Sequence, residues 1–139
     1  MLWAAPPPQG KASFTDLPQA WYREPIAWAE ENKITNGTSP TTFDPEGLVT
    51  REQMMTILHR LTGSPMGGEL MLTSVYDQLL TDSASISAYA KNAVYWSIYN
   101  GILCGEQSTE LENNTVAPRA AATRAQIAVS IIRYLDKYR

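Results

Sequence analysis

Residues 43–53 read Phe43-Asp44-Pro45-Glu46-Gly47-Leu48-Val49-Thr50-Arg51-Glu52-Gln53. Residues 116–126 read Val116-Ala117-Pro118-Arg119-Ala120-Ala121-Ala122-Thr123-Arg124-Ala125-Gln126. In both, a proline precedes a threonine by five positions, and the threonine opens Thr-Arg-x-Gln. A threonine followed three residues later by glutamine is a capping box: the hydroxyl accepts from a first-turn N–H and the glutamine reaches back to the cap's own N–H. Apolar residues at helical spacing follow each box. They are Ile57, Leu58 and Leu61 in the first copy, and Ile127, Ile131, Leu135 and Tyr138 in the second. The two stretches therefore predict helices over residues 50–62 and 123–137, each entered from a polar loop.

The surroundings repeat as well. Phe14-Thr15-Asp16 is echoed by Leu80-Thr81-Asp82, and Trp21 by Tyr89. Ile26, Trp28 and Ile34 return as Val94, Trp96 and Ile102, all at an offset of 68. Asn32 to Gly37 returns as Asn100 to Gly105 at the same offset, which has grown to 73 at Thr123-Arg124. The five additional residues fall in the loop, where an insertion costs a repeated fold little. A first-repeat helix is expected over residues 21–32, with Trp21, Ile26, Ala29 and Trp28 on one face and Pro25 confined to the first turn. A connecting helix is expected over 69–80, with Leu72, Val75, Tyr76 and Leu79 on one side. The organisation reads as an extended, mobile lead-in (1–13), repeat 1 (14–63), a connecting turn and helix (64–79) and repeat 2 (80–139). Neither repeat contains a convincing strand, so the fold class is all-α.

Composition narrows the function. The chain has 139 residues, 44% of them hydrophobic, with four tryptophans, which suits a buried core and argues against disorder. A net charge of −3 gives no basic excess for nucleic acid. Cys104 is the only cysteine, so neither an internal disulfide nor a cysteine-based zinc site is available, and it reads as a small buried apolar residue. No apolar run approaches the roughly 20 residues needed to span a bilayer. Residues 1–13, with Pro6-Pro7-Pro8, lack the features of a signal peptide. Asp44, Glu46, Glu110 and Glu112 are loop acids without a calcium-loop pattern. His59 stands beside Arg60 on a polar face and reads as solvated, because no nucleophile and orienting acid accompany it. No triad, metal cage or phosphate loop is present, so the chain is expected to be no enzyme, without cofactor or metal.

The ordered series of aromatic-x-Asp, helix-opening Trp or Tyr, Gly corner, Phe-x-Pro loop and Thr-Arg helix start resembles the S-layer homology (SLH) module of bacterial surface proteins. Repeat 1 supplies Phe14, Asp16, Trp21, Ile34, Gly37, Phe43, Pro45, Thr50 and Arg51. Repeat 2 supplies Asp82, Tyr89, Gly101, Ile102, Gly105, Pro118, Thr123 and Arg124. The resemblance implies tandem helix–loop–helix repeats packed as a partial pseudo-threefold helical bundle. It also implies a partner, secondary cell-wall polysaccharide carrying a pyruvylated and hence anionic sugar, bound in grooves between repeats. The implied role is extracellular anchoring at the bacterial cell wall without membrane insertion. This chain departs from the pattern in having Gln53 and Gln126 where the family has glutamate, in Leu80 and Val116 where it has aromatics, and in showing two repeats where three are usual. A homo-oligomer or a missing third repeat would complete it.

The residue types suit that task. Arg51 and Arg124 offer planar bidentate donors for a carboxylate at helix N-termini. Trp21 and Tyr89 offer flat faces for sugar rings, and Gln53 and Gln126 can bond sugar hydroxyls or close their capping boxes. Asp16 and Asp82 can accept from hydroxyls, hold the arginines or serve as helix-entry caps. The same arginines can instead bridge to a loop carboxylate such as Asp16 or Asp82. Trp21, Trp28 and Trp96, as members of helical aromatic stripes, also read as core. The alternative to a glycan-binding anchor is a structural or protein-interaction domain of a larger exported protein, built on the same fold.

Overall fold

The computed structural model describes residues 6–65, 68–103 and 114–138, and the side chains of these except 68–72. Cys104, Gly105, Glu110, Glu112 and the side chain of Leu72 lie outside the described residues. The described residues form five α-helices, two short 3₁₀ turns and no strand: α1 Ala20–Glu31, α2 Arg51–Leu61, α3 Gly68–Leu79, α4 Lys91–Tyr99 and α5 Arg124–Tyr138. The fold is all-α. They group into two units, Met1–Gly47 and Leu48–Arg139. The division falls inside the first repeat, and α2 belongs with the elements of the second.

The first unit is built on α1. Phe14, Leu17, Tyr22 and Ile26 form its small core, with Ala12 and Phe43 packed against them. The buried face of α1 is Tyr22, Ile26 and Ala27, one step around the helix from the expected Trp21-Ile26-Ala29 face. Trp21 is 78% exposed rather than core, and Trp28 is half-buried. Pro25 lies in the second turn of α1, not the first. The carbonyl of Trp21 thereby loses its helical donor, a loss tolerable at the solvent-facing side of the helix. The extended segment before α1 is tied down rather than loose, since Gln9 N–H donates to the Glu31 carboxylate at 3.0 Å and Ser13 N–H to Glu30 at 2.8 Å.

In the second unit α2 and α3 both pack on α4. Met54, Met55 and Leu58 of α2 meet Val94, Tyr95 and Trp96 of α4, with Leu80, Ile86, Ile102 and Val116 closing the cluster. Ile57 and Leu61, expected inward, are exposed, because α2 turns its methionine side to α4. His59 is buried rather than solvated, its ring 5.1 Å from that of Trp96 and its Nε2 3.1 Å from the Pro65 carbonyl. Of the expected α3 face, Tyr76 packs on the core while Val75 and Leu79 are exposed. Lys91 and Asp77 join α4 to α3 at 2.7 Å, and the Tyr95 hydroxyl also donates to Asp77. This half-exposed ion pair contributes under about 1 kcal/mol.

The helix ends show the repeat at the level of single hydrogen bonds. After α4, Gly101 is left-handed (φ 68°), Gly101 N–H donates to the Ile98 carbonyl and Ile102 N–H to that of Ser97. After α1, Lys33 occupies the same conformation (φ 59°), with Lys33 N–H to Glu30 and Ile34 N–H to Ala29. Both are Schellman closures, for which glycine is the favoured residue. Replacing Lys33 by Gly relieves the left-handed Cβ while adding chain entropy to the unfolded state, and is expected to stabilise the protein by roughly 0.5–1 kcal/mol. Urea denaturation followed by tryptophan fluorescence measures this. A lower midpoint in Lys33→Gly would contradict the closure geometry.

Candidate functional site

Each capping box is closed as the sequence implies. Thr50 N–H donates to Gln53 Oε1 (2.8 Å) and Gln53 N–H to Thr50 Oγ1 (3.2 Å); the Thr123 and Gln126 pair matches at 2.9 and 3.1 Å. The glutamine oxygens are therefore engaged in starting helices.

The two aspartates occupy equivalent positions but neither caps a helix. Asp82 accepts from the backbone N–H of Val116 (3.1 Å) and of Ala117 (2.8 Å). Asp16 accepts from Phe43 (2.8 Å) and Asp44 (2.7 Å). Each carboxylate clamps the x-x-Pro loop of its own repeat, Phe43-Asp44-Pro45 or Val116-Ala117-Pro118, and the clamped loop turns through a left-handed residue, Ala117 (φ 45°) or Asp44 (φ 59°). The two backbone bonds hold the Asp16 carboxyl below its ordinary range.

The loop clamped by Asp82 receives the start of α2. Arg51 N–H donates to the Ala120 carbonyl and Glu52 N–H to that of Pro118, both at 2.9 Å, while Ala122 N–H returns to Val49 at 2.8 Å. The Arg51 side chain, 2% exposed, donates from Nε to the Val116 carbonyl at 2.8 Å. An accessible Arg51 is thus not what the fold provides. The guanidinium is buried as an anchor between repeats, with a loop carbonyl accepting from its Nε. Arg124 begins α5 in the same way and is exposed.

Glu52, which nothing in the sequence singled out, is buried beside it. Its carboxylate accepts from Ser87 N–H (2.9 Å), Ser87 Oγ (2.6 Å) and, weakly, Tyr89 hydroxyl (3.4 Å). Tyr89 keeps its ring 55% exposed. Its phenol is pushed above the ordinary value by partial burial, then by the charge and hydrogen bond of Glu52, against the opposing pull of Arg60 and Arg119. Arg119 is exposed and held from below, with Nε donating to the Ser85 carbonyl at 3.0 Å. The second unit thus carries an exposed ring, Tyr89, whose phenol feels the charges of the exposed Arg119 and the half-buried Arg60. Arg119 escaped the sequence reading because it does not recur, its counterpart being Glu46; Arg60 does recur, as Arg133, but in the last turn of its helix rather than in a cap or loop motif. In the first unit Trp21 presents its ring to solvent, edge-on to Tyr22 with centroids 4.9 Å apart. Among the described residues no group of three or more metal-ligating acids, histidines or cysteines occurs, and no helix is long and apolar enough to cross a membrane.

A family model described as S-layer homology domain matches residues 13–55 and 79–128. The chain is 29% identical over 129 residues to the surface-layer 125 kDa protein of Lysinibacillus sphaericus, covering 92% of this chain and 10% of that protein. It is 33% identical to exoglucanase XynX of Acetivibrio thermocellus (89% of this chain, 11% of the relative) and 32% identical to the amylopullulanase of Thermoanaerobacterium thermosulfurigenes (89% and 6%). The chain thus spans about a tenth or less of the length of these relatives. No solved structure matches the chain significantly.

Two outcomes are expected from the clamps and the Glu52 contact. The Asp16 carboxyl should titrate with a midpoint below 3.8, the ordinary aspartate value, when followed by carboxyl ¹³C shifts. Because its folded value is depressed, its stabilising effect is present above the ordinary value and is lost as pH falls through the folded one. A midpoint at or above 3.8 would mean the loop is not clamped. Glu52→Ala leaves Ser87 N–H without its acceptor and should cost about 1–3 kcal/mol in chemical denaturation; an unchanged midpoint would refute that contact.

Proposed function

The chain belongs to the S-layer homology family, and from that premise we propose that it is a non-catalytic module anchoring an exported protein to bacterial cell-wall polysaccharide. The relatives support this reading: one is a surface-layer protein, and two are enzymes named for polysaccharide substrates, in which the matched region is a small part. A module shared by proteins with such different bodies supplies something other than their chemistry.

The observation that carries the finer reading is the exposed Tyr89 ring beside Arg119 and Arg60. A pyranose stacks its apolar face on an aromatic ring, and a carboxylate takes two parallel N–H donors from one guanidinium. Arg119 is fixed by its Nε on Ser85, which orients the terminal nitrogens without side-chain entropy being lost on binding. A pyruvyl ketal on a wall sugar carries the matching charge. The ligand residues proposed are therefore Tyr89, Arg119 and Arg60, with Trp21 as a second stacking platform and Arg124 as a further accessible cation. Arg51, Asp16, Asp82, Gln53 and Gln126 serve the fold that holds them. The Trp21 platform lacks the anion-binding partner, since Glu46 stands where Arg119 stands in repeat 2, so charged sugars should prefer the Tyr89 side.

Co-sedimentation with purified pyruvylated wall polysaccharide tests this. Tyr89→Ala combined with Arg119→Ala should weaken binding about tenfold to a hundredfold, equivalent to ~1.4–3 kcal/mol. Mild-acid removal of the ketal should reduce binding of the unaltered protein similarly. Undiminished sedimentation of the double variant would move the site elsewhere.

A further inference from the structure

Two bonds in the chain join an asparagine to a glycine, Asn36-Gly37 and Asn100-Gly101, and the fold places them in opposite circumstances. Asparagine amides are chemically labile, most of all before glycine, which has no side chain to shield its main-chain nitrogen from the neighbouring carboxamide. Reaction requires that nitrogen to leave its hydrogen bond and approach the asparagine Cγ. In the second unit both groups are held apart. Asn100 is the C-cap of α4 with ψ 4°, its Nδ2 donates to the Trp96 carbonyl at 2.8 Å, and Gly101 N–H donates to the Ile98 carbonyl at 3.0 Å. The Schellman closure of α4 consumes them, so they meet only when the helix end opens.

In the first unit neither group is held in this way. Asn36 is exposed and makes no hydrogen bond among the described residues. Gly37 N–H donates to the Thr35 hydroxyl at 3.2 Å, the long end of the hydrogen-bond range. The helix closure of this repeat is made by Asn32 and Lys33 instead, with Asn32 Nδ2 on the Trp28 carbonyl at 2.9 Å, and the Asn-Gly pair falls beyond it. The corner it occupies is tight. Gly37 is left-handed (φ 72°), and a Cβ on it would collide with the Phe14 ring and with the Thr42 carbonyl, which also accepts from Thr38 N–H at 2.9 Å. Phe14 belongs to the small core of this unit.

We propose that Asn36-Gly37 is a site of spontaneous modification that ages the first unit and spares the second. The Gly37 nitrogen attacks Asn36 Cγ, and the new C–N bond displaces Nδ2, which leaves as ammonia with the Gly37 amide proton. The succinimide so formed takes up one water: opened at one carbonyl it gives aspartate, at the other isoaspartate. No co-reactant beyond water is needed. Either product places a negative charge in the corner. Isoaspartate also lengthens the main chain by one methylene immediately before Gly37, where the backbone is packed against Phe14 and Thr42. The core of the first unit therefore loosens as the isoaspartate form accumulates. This inference does not rest on the glycan reading.

The full chain, incubated in warm, mildly alkaline buffer and mapped by peptide mass spectrometry, should gain acid at Asn36 about tenfold or more faster than at Asn100. In concentrated urea, where the α4 closure is lost, the two rates should converge. Equal rates in the folded chain overturn the proposal, and so does an Asn36 that converts only in urea. The purified isoaspartate form should denature at a lower urea concentration than the fresh chain, followed by tryptophan fluorescence. Asn36→Asp carries the charge without the added methylene and should keep the midpoint of the unaltered chain. Equal midpoints for the isoaspartate and Asn36→Asp chains would overturn the effect on the core.

Discussion

A carboxylate that accepts from two successive backbone amides fixes the geometry on which the rest of this protein depends. Asp82 binds the N–H groups of Val116 and Ala117 and so aims the carbonyls of Val116, Pro118 and Ala120 at one point. The first turn of α2 fills that point with two main-chain donors and the Arg51 guanidinium. A helix N-terminus has unsatisfied donors and a partial positive charge, and a ring of loop carbonyls answers both. The buried arginine is held in that ring by its Nε, which donates to the Val116 carbonyl. Its removal would leave them unsatisfied and open a cavity at the junction of α2 and the second repeat.

This arrangement separates holding from binding. The residues most conspicuous in the sequence, the paired arginine-bearing capping boxes and the paired aspartates, are largely consumed by the contact between one repeat and the next. What remains outward is the Tyr89 ring and the Arg119 guanidinium, mounted on the same junction through Glu52 and Ser85, with the half-buried Arg60 acting on the Tyr89 phenol by its charge. A rigid junction displaying a few polar and aromatic groups suits a ligand that is long, hydrated and held by many weak contacts. Whichever protein carries the module can then vary freely.

The helices were legible because their starts are written in local chemistry: Thr50 and Thr123 cap them and Gln53 and Gln126 close the boxes, whatever packs around. The repeat was legible for the same reason, since its turn and cap residues recur in the same order on either side of the lengthened loop. Burial was less so. Periodicity in α2 marked Ile57 and Leu61, yet the face turned to α4 is Met54, Met55, Leu58 and His59, because the direction of a helix's inward face depends on where its partner lies. Trp28 and Trp96 are counterparts in the two repeats, yet Trp28 is half-buried and Trp96 fully buried, as no single-residue pattern foretells. Arg119 was invisible because it breaks the repeat, and Arg60 because it stands in the last turn of α2, away from any cap or loop motif. Spatial neighbourhood with Tyr89, created by folding, is the only feature that unites them.

Native-state amide hydrogen exchange at Val116, Ala117 and Glu52 tests the interlocking of the repeats most directly. These three N–H groups lie in a loop and a first helical turn, where exchange is ordinarily fast. If the Asp82 clamp and the seated helix are as described, they exchange only with unfolding of the second unit, as slowly as the amides of the α4 core. Exchange at loop rates, while the α4 amides remain protected, would show that the helix is not seated and that the buried Arg51 anchor does not hold the repeats together.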